Sequence, residues 1–277
     1  MERTDSHRLT DEVLAYYQAG REHGRLRAGR DRLELLRTRD ILRRLLPPAP
    51  ARVLDVGGGT GVHAAWLAED GYDVHLIDPM PLHIERAAEL PGVRATIGDA
   101  RELDAADAAA DAVLLLGPLY HLAEPADRAL ALSEAVRAVR PGGLVAAATI
   151  NRTSPLHDSL YHGWYQDPAL RSMVDTATAT GRLVSAGLDA PTGGFDAYLH
   201  DPAEILAEFT AAGLPAARQY GIEGAAWLLP TIDTWLDDPE RRTTLLDALR
   251  GVEEHPHLLG ASGHLLTAAF RPRPSAN

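Results

Sequence analysis

Val53-Leu54-Asp55-Val56-Gly57-Gly58-Gly59-Thr60-Gly61 is the stretch on which the reading of this chain turns. Four strand-compatible residues run into closely spaced glycines. Val62, Ala65, Trp66, Leu67 and Ala68 then recur at helical spacing. The pattern is strand, glycine loop, helix. Glycine permits backbone angles closed to other residues and lets a ligand approach the main chain without meeting a Cβ. The N-terminus of the following helix presents unsatisfied N–H groups and partial positive charge to whatever fills the loop. The loop therefore reads as a seat for a nucleotide-like, partly anionic ligand. An ordinary glycine-rich turn in an α/β domain is the plainer alternative.

The spacing separates the nucleotide classes. A dinucleotide fingerprint framed on Gly57 and Gly59 needs glycine at position 62, which is Val62. A phosphate-binding Walker loop needs a lysine, and the chain has none. The acidic strand residue Asp55 followed by Gly57, Gly58, Gly59 and Gly61 resembles motif I of class I S-adenosylmethionine-dependent methyltransferases. Three later segments extend the resemblance in order. Asp78 closes a second strand, about 20 residues beyond the loop, where a carboxylate accepts hydrogen bonds from ribose hydroxyls. It could equally cap the helix that follows Pro79-Met80-Pro81. Ile97-Gly98-Asp99-Ala100-Arg101 ends a third strand. In the resembled family the acidic residue here bonds the exocyclic amine of adenine and its neighbour packs on the ring, roles that fall on Asp99 and Ala100; an Asp turn is the alternative. Arg140-Pro141-Gly142-Gly143 leads into a fifth strand, as it does in the family.

The resemblance implies a Rossmann-like α/β fold. The expected sheet has seven mainly parallel strands with helices on both faces, plus a helical N-terminal lid and helical substrate-cap insertions. Strands are expected over 52–56, 73–78, 93–97, 112–116 and 144–150. Two late strands over 217–223 and 263–270 complete the sheet as an antiparallel pair. Helices are expected over 11–46, 60–70, 81–90, 125–139, 202–212 and 231–254, with a piecewise helical region over 152–190. The linker Pro47-Pro48-Ala49-Pro50 divides a lid (1–50) from a cofactor-binding core (51–151), followed by the cap and last strands (152–277).

At the fourth strand, Leu116-Gly117-Pro118-Leu119-Tyr120-His121 lies where open α/β sheets bind ligands. It lacks the Asn/Asp-Pro-Pro-aromatic motif of adenine-N6 methyltransferases and resembles the small-molecule, natural-product type of enzyme. His121 is then a candidate base facing substrate, or else a structural hydrogen-bonding histidine. His200 is the second candidate base. Resemblance places Tyr17 over the sulfonium and Arg37 on the methionine carboxylate; core packing and a solvated helix face are their plainer readings. The cofactor set is Tyr17, Arg37, Asp55, Gly57, Gly58, Gly59, Gly61, Asp78, Pro79, Met80, Asp99, Ala100, Arg101 and Leu116. Trp164, Tyr165, Phe195 and Trp227 either line an apolar pocket or belong to the core. Histidines also stand at 157, 162 and 264, but no spacing resembles a metal site, so no metal is expected.

Composition bounds the function. The 277 residues carry a formal charge of −12, which disfavours nucleic acid and suits a small-molecule acceptor. No apolar run reaches membrane-spanning length, no secretory leader is visible at Met1–Arg8, and the absence of cysteine excludes thiolate chemistry. The expectation is a cytoplasmic methyltransferase using S-adenosyl-L-methionine, with no membrane partner and homo-oligomer formation left open. A nicotinamide-dependent oxidoreductase and a non-catalytic cofactor-binding sensor are the alternatives.

Overall fold

The computed structural model describes residue 26 and residues 29–185 and 196–274. Strands β1 (Arg52–Val56), β2 (Asp73–Asp78), β3 (Val93–Ile97), β4 (Ala110–Leu115), β5 (Val139–Ile150), β8 (Arg218–Gly221) and β9 (His264–Phe270) form one sheet in the order β3-β2-β1-β4-β5-β9-β8. The first five are parallel neighbours. β9 runs against β5, and β8 runs against β9. Only β9 is therefore reversed; the expected pair of late strands is antiparallel within itself, and β8 keeps the direction of the first five. A short hairpin, β6 (Arg182–Leu183) with β7 (Ala197–Tyr198), stands apart from the sheet.

Apolar side chains alternate across the strands, so the sheet has two buried faces. Leu54, Val56, Val113, Leu115, Val145 and Ala147 pack on one face against α4 (Pro118–His121), α5 (Pro125–Ala138) and α8 (Pro202–Ala211), through Leu119, Ala131, Leu132, Ile205 and Phe209. Val53, Val74, Leu76, Ala112, Leu114, Leu144 and Ala146 pack on the other. There they meet Ile41 and Leu42 of α1 (Arg32–Leu45), Trp66 and Leu67 of α2 (Val62–Glu69) and Ala87 of α3 (Pro81–Ala87). A parallel strand covered on both faces needs the near-continuous apolar run seen in Ala112–Leu115. Each such side chain contributes roughly 1.5–3 kcal/mol on burial.

Three element boundaries differ from expectation for local reasons. β5 begins at Val139, because Arg140–Gly143 stays within the strand as a bulge: its partner register steps from Ala110↔Val139 to Ala112↔Leu144. The expected helix over 231–254 is two helices, α9 (Ile232–Asp237) and α10 (Pro239–Arg250). Asp238 separates them by capping α10, accepting from the amides of Glu240 and Arg241, with Pro239 in the first turn. The piecewise region resolves into α6 (Ser154–His162) and α7 (Pro168–Thr180) around one tight turn. No helix among the described residues is long and apolar enough to cross a membrane.

Candidate functional site

A cavity of about 660 Å3 opens at the carboxyl ends of β1, β2 and β4, within the size range of small-ligand sites. The glycine loop forms its floor. At Gly57, φ is +68° and an added Cβ would sit 2.8 Å from Pro118, so the loop must lack a side chain to pass under α4. At Gly59, φ is +57° and an added Cβ would meet nothing within 4 Å. That position is open and cradle-like, where a side chain would take up space meant for a ligand. Gly61, at φ +88°, starts α2 and is not among the cavity-lining residues.

Asp55 lies under the loop with 0% exposure, and neither carboxylate oxygen closes a hydrogen bond. Its pKa is pushed up to about 7, first by burial and then by the charge of Asp78, with partial relief from the Ala64 amide. Apart from that amide, nothing among the described residues brings the buried carboxylate a compensating positive charge.

Asp78 is held the opposite way. Its Oδ2 accepts from the Gly59 amide at 2.9 Å, while Oδ1 accepts from the Met80 amide and pairs with His83 Nδ1, both at 2.9 Å. A carboxylate has about four acceptor positions. One therefore stays open toward the cavity that Asp78, Pro79 and Met80 all line. Asp78 thus ties the glycine loop to the start of α3, doing the capping and keeping the capacity for a ligand hydroxyl. His83 is the member that sequence reasoning missed. It follows Pro81 by two residues on the first turn of α3, so an Asp-x4-His spacing across a strand-to-helix turn was the available signal.

Asp99, Ala100 and Arg101 line the far wall. Arg101 grips Asp99 bidentately, through its terminal nitrogen to Oδ2 at 2.7 Å and Nε to Oδ1 at 3.0 Å, and reaches Asp127 at 3.0 Å. On the β4 side stand Leu116, Pro118, Tyr120 and His121. The Tyr120 and His121 rings are 4.6 Å apart. Burial, opposed in part by Asp78, pulls the His121 pKa down to about 4, so the imidazole is neutral at physiological pH.

Two expected site residues, Arg37 and His200, lie elsewhere. Arg37 is fully buried away from the cavity: Nε donates to the Ile222 carbonyl at 3.0 Å, one terminal nitrogen pairs with Asp40 at 2.8 Å and the other with Glu253. It is a structural ion-pair hub between α1 and the loops after β8 and α10. Fully buried and absent from the cavity lining, this guanidinium does not reach a cofactor carboxylate there. His200 is also fully buried. Its Nε2 faces Glu208 at 3.3 Å and its ring abuts Tyr198, so it does not face the cavity. Tyr17 lies outside the described residues, as does Phe195. Trp227 is buried against the Ala261 carbonyl, Trp164 stacks on His162, and Tyr165 bonds Asp175; none is among the cavity residues. Glu34 of α1, not anticipated, does line the cavity.

Residues 53–143 match the model of a methyltransferase domain. An uncharacterized methyltransferase of Mycobacterium tuberculosis is 45% identical over 101 residues, 36% of this chain and 40% of the relative. A ubiquinone biosynthesis O-methyltransferase of Azorhizobium caulinodans is 32% identical over 185 residues, 65% of each protein. The chain thus spans about two fifths of the mycobacterial relative and just under two thirds of the other. The crystal structure of a SAM-dependent methyltransferase from Methanosarcina mazei superposes with a TM-score of 0.57 at 16% identity, covering 84% of this chain and 98% of that one, a likeness of fold. Sheet order, glycine loop, acidic strand ends and the matched residues agree: the chain carries a methyltransferase domain over residues 53–143, on the fold of S-adenosylmethionine-dependent methyltransferases.

Proposed function

We propose that this protein transfers the methyl group of S-adenosyl-L-methionine to a nucleophilic atom of a small-molecule acceptor. The observation that carries the reading is the pairing of Asp55, buried without a cationic partner, with the open cradle at Gly59. A pyrophosphate would bring negative charge to a carboxylate that already resists ionisation. A sulfonium and an ammonium bring the charge that Asp55 lacks. Glu34, Asp55, Asp78, Glu89 and Asp99 line the cavity against Arg86 and Arg101, so the lining favours a cationic ligand over an anionic one. Such a field also favours the methylated donor over its neutral product, which helps turnover.

The donor supplies an already electrophilic methyl group, and the protein's work is alignment and exclusion of water. Asp78 fixes the ribose, Asp99 and Ala100 frame the adenine, and Leu116, Pro118, Tyr120 and His121 bound the methyl-facing end. Similarity to a ubiquinone biosynthesis O-methyltransferase favours a hydroxyl oxygen as the acceptor. His121, neutral in its pocket, is the residue we assign to accept or orient that hydroxyl's proton. We further read residues 1–50 as a lid, 51–151 as the cofactor core and 152–277 as cap and final strands. The protein is taken as cytoplasmic and without nucleic-acid partners, with homo-oligomer formation left open. The −12 charge supports the exclusion of nucleic acid.

Titration calorimetry with S-adenosylmethionine, S-adenosylhomocysteine and NADH tests the cofactor. Methyl release from labelled donor across catechol, hydroquinone and amine acceptors tests the reaction. Tight NADH binding with none for the donor would return the oxidoreductase reading. Donor binding without turnover on any acceptor would favour a sensor.

A further inference from the structure

Beyond the cofactor loop, three potential ligand side chains from separate parts of the chain converge. Glu34 lies on α1, Glu223 follows β8, and His264 opens β9; each offers one ligand atom, and these atoms all lie within 4.8 Å of one another. His264 Nδ1 is 2.6 Å from Glu223 Oε1 and 3.8 Å from Glu34 Oε2. The sequence hides this cluster because its members stand far apart and share no motif spacing. We propose that Glu34, Glu223 and His264 form a binding site for a divalent transition cation such as Zn2+, held on the acceptor side of the cavity.

The position follows from strand order. His264 pairs with Ile150 at the carboxyl end of β5, two strands beyond β4 and on the opposite side from the Asp78 and Asp99 ends of β2 and β3. The donor set is chemically selective. One imidazole with two carboxylates suits Zn2+ or Mn2+, whereas an all-oxygen cage would suit Mg2+ or Ca2+. Glu223 is pre-oriented: its Oε2 accepts from Ser262 Oγ and from the His264 amide, both at 2.9 Å, and this turns Oε1 toward the imidazole. The Ser262 hydroxyl is itself locked by the amides of Glu223 and Gly224. A cation takes the place of the hydrogen bond between His264 Nδ1 and Glu223, the imidazole keeping its single N–H on Nε2. The three ligand atoms then draw to roughly 2.0–2.2 Å from the ion, leaving a coordination position for water or an acceptor oxygen. Because Glu34 also lines the cavity, an acceptor hydroxyl bound there would be acidified before methyl transfer. The site does not depend on the methyl-transfer reading, since binding is measured with no acceptor.

The experiment is calorimetric titration of the untagged full chain with Zn2+ in two buffers of different ionisation enthalpy. Expected is one site of micromolar affinity or better. His264→Gln and Glu223→Gln each weaken it at least 30-fold and Glu34→Gln about tenfold, while His157→Gln leaves it unchanged; the His264, Glu223 and His157 variants bind S-adenosylmethionine as the parent does. Should His264→Gln or Glu223→Gln unfold, Co2+ titration of the folded Glu34→Gln protein serves: its visible absorption bands must be altered from those of the parent. Absence of a stoichiometric site, or equal affinity in the parent and the folded variants, would show a carboxylate–imidazole proton network only and overturn the proposal. Donor binding that vanishes together with Zn2+ binding would do the same.

Discussion

Replacing Asp55 by Asn should stabilise the free protein at pH 8 relative to pH 5 while crippling its use of the cofactor. In the folded chain Asp55 holds its proton up to about pH 7, whereas the unfolded group ionises near 3.8. Between those values the folded state binds more protons than the unfolded one, so the wild type loses stability as pH rises. From pH 5 to pH 7 that is two units at about 1.4 kcal/mol each, hence a loss of about 3 kcal/mol. Above pH 7 the loss is complete. Asn does not titrate, so the difference between variant and parent should grow by about 3 kcal/mol across the interval. At about 2–4 °C per kcal/mol for a domain of this size class, the melting-temperature gap widens by roughly 6–12 °C. Any fixed cost of a buried amide cancels in that comparison. Ligand binding moves oppositely: a cation beside Asp55 favours its ionised form, so donor affinity in the parent should fall up to tenfold per pH unit below 7, with proton release on binding. The assays are thermal melts at pH 5 and 8 and calorimetry in two buffers. A gap that stays constant between the two pH values refutes the burial argument. A donor affinity flat from pH 5.5 to 8 refutes the placement of positive charge at Asp55.

Other substitutions separate structural from ligand-facing roles. Gly59→Val should weaken donor binding at least 30-fold, because it fills the cradle and strains a positive-φ position; calorimetry reads it. Arg37→Met should lower stability by about 1–3 kcal/mol, since the buried Ile222 carbonyl loses its arginine donor while Glu253 keeps Arg44, yet leave donor affinity in the folded fraction within threefold, as shown by denaturant unfolding and calorimetry. His121→Gln should cut kcat by about 100-fold or more for a hydroxyl acceptor with donor affinity unchanged; since its pKa lies near 4, the parent's rate should show no His121 titration between pH 6 and 8. His200→Gln should leave kcat within threefold, its imidazole being sealed against Glu208.

Periodicity made the sheet legible. β1, β2 and β3 run over 52–56, 73–78 and 93–97, where apolar runs and the following glycine or proline mark both ends. The boundary at Asp238-Pro239 was present in the sequence as a cap followed by proline, but the apolar pattern on either side masked it. The bulge at Arg140–Gly143 was not readable, since its length depends on how β4 and β5 register. In the site, residues adjacent to the glycine loop and to strand ends were found because the chain itself delivers them there. Arg37 and His200 were misread because their partners come from distant stretches of chain, Glu253 from the loop after α10 and Glu208 from α8. Glu34 was missed for the same reason: only the packing of α1 brings it to the cavity wall.

The most direct measurement is calorimetric titration of the intact chain with S-adenosylmethionine at pH 7.5, alongside NADH. Saturable one-to-one binding of the methyl donor, at least 30-fold weaker in Asp78→Ala and with no heat from NADH, is the predicted result. Binding of NADH alone, or donor binding indifferent to Asp78, would contradict it.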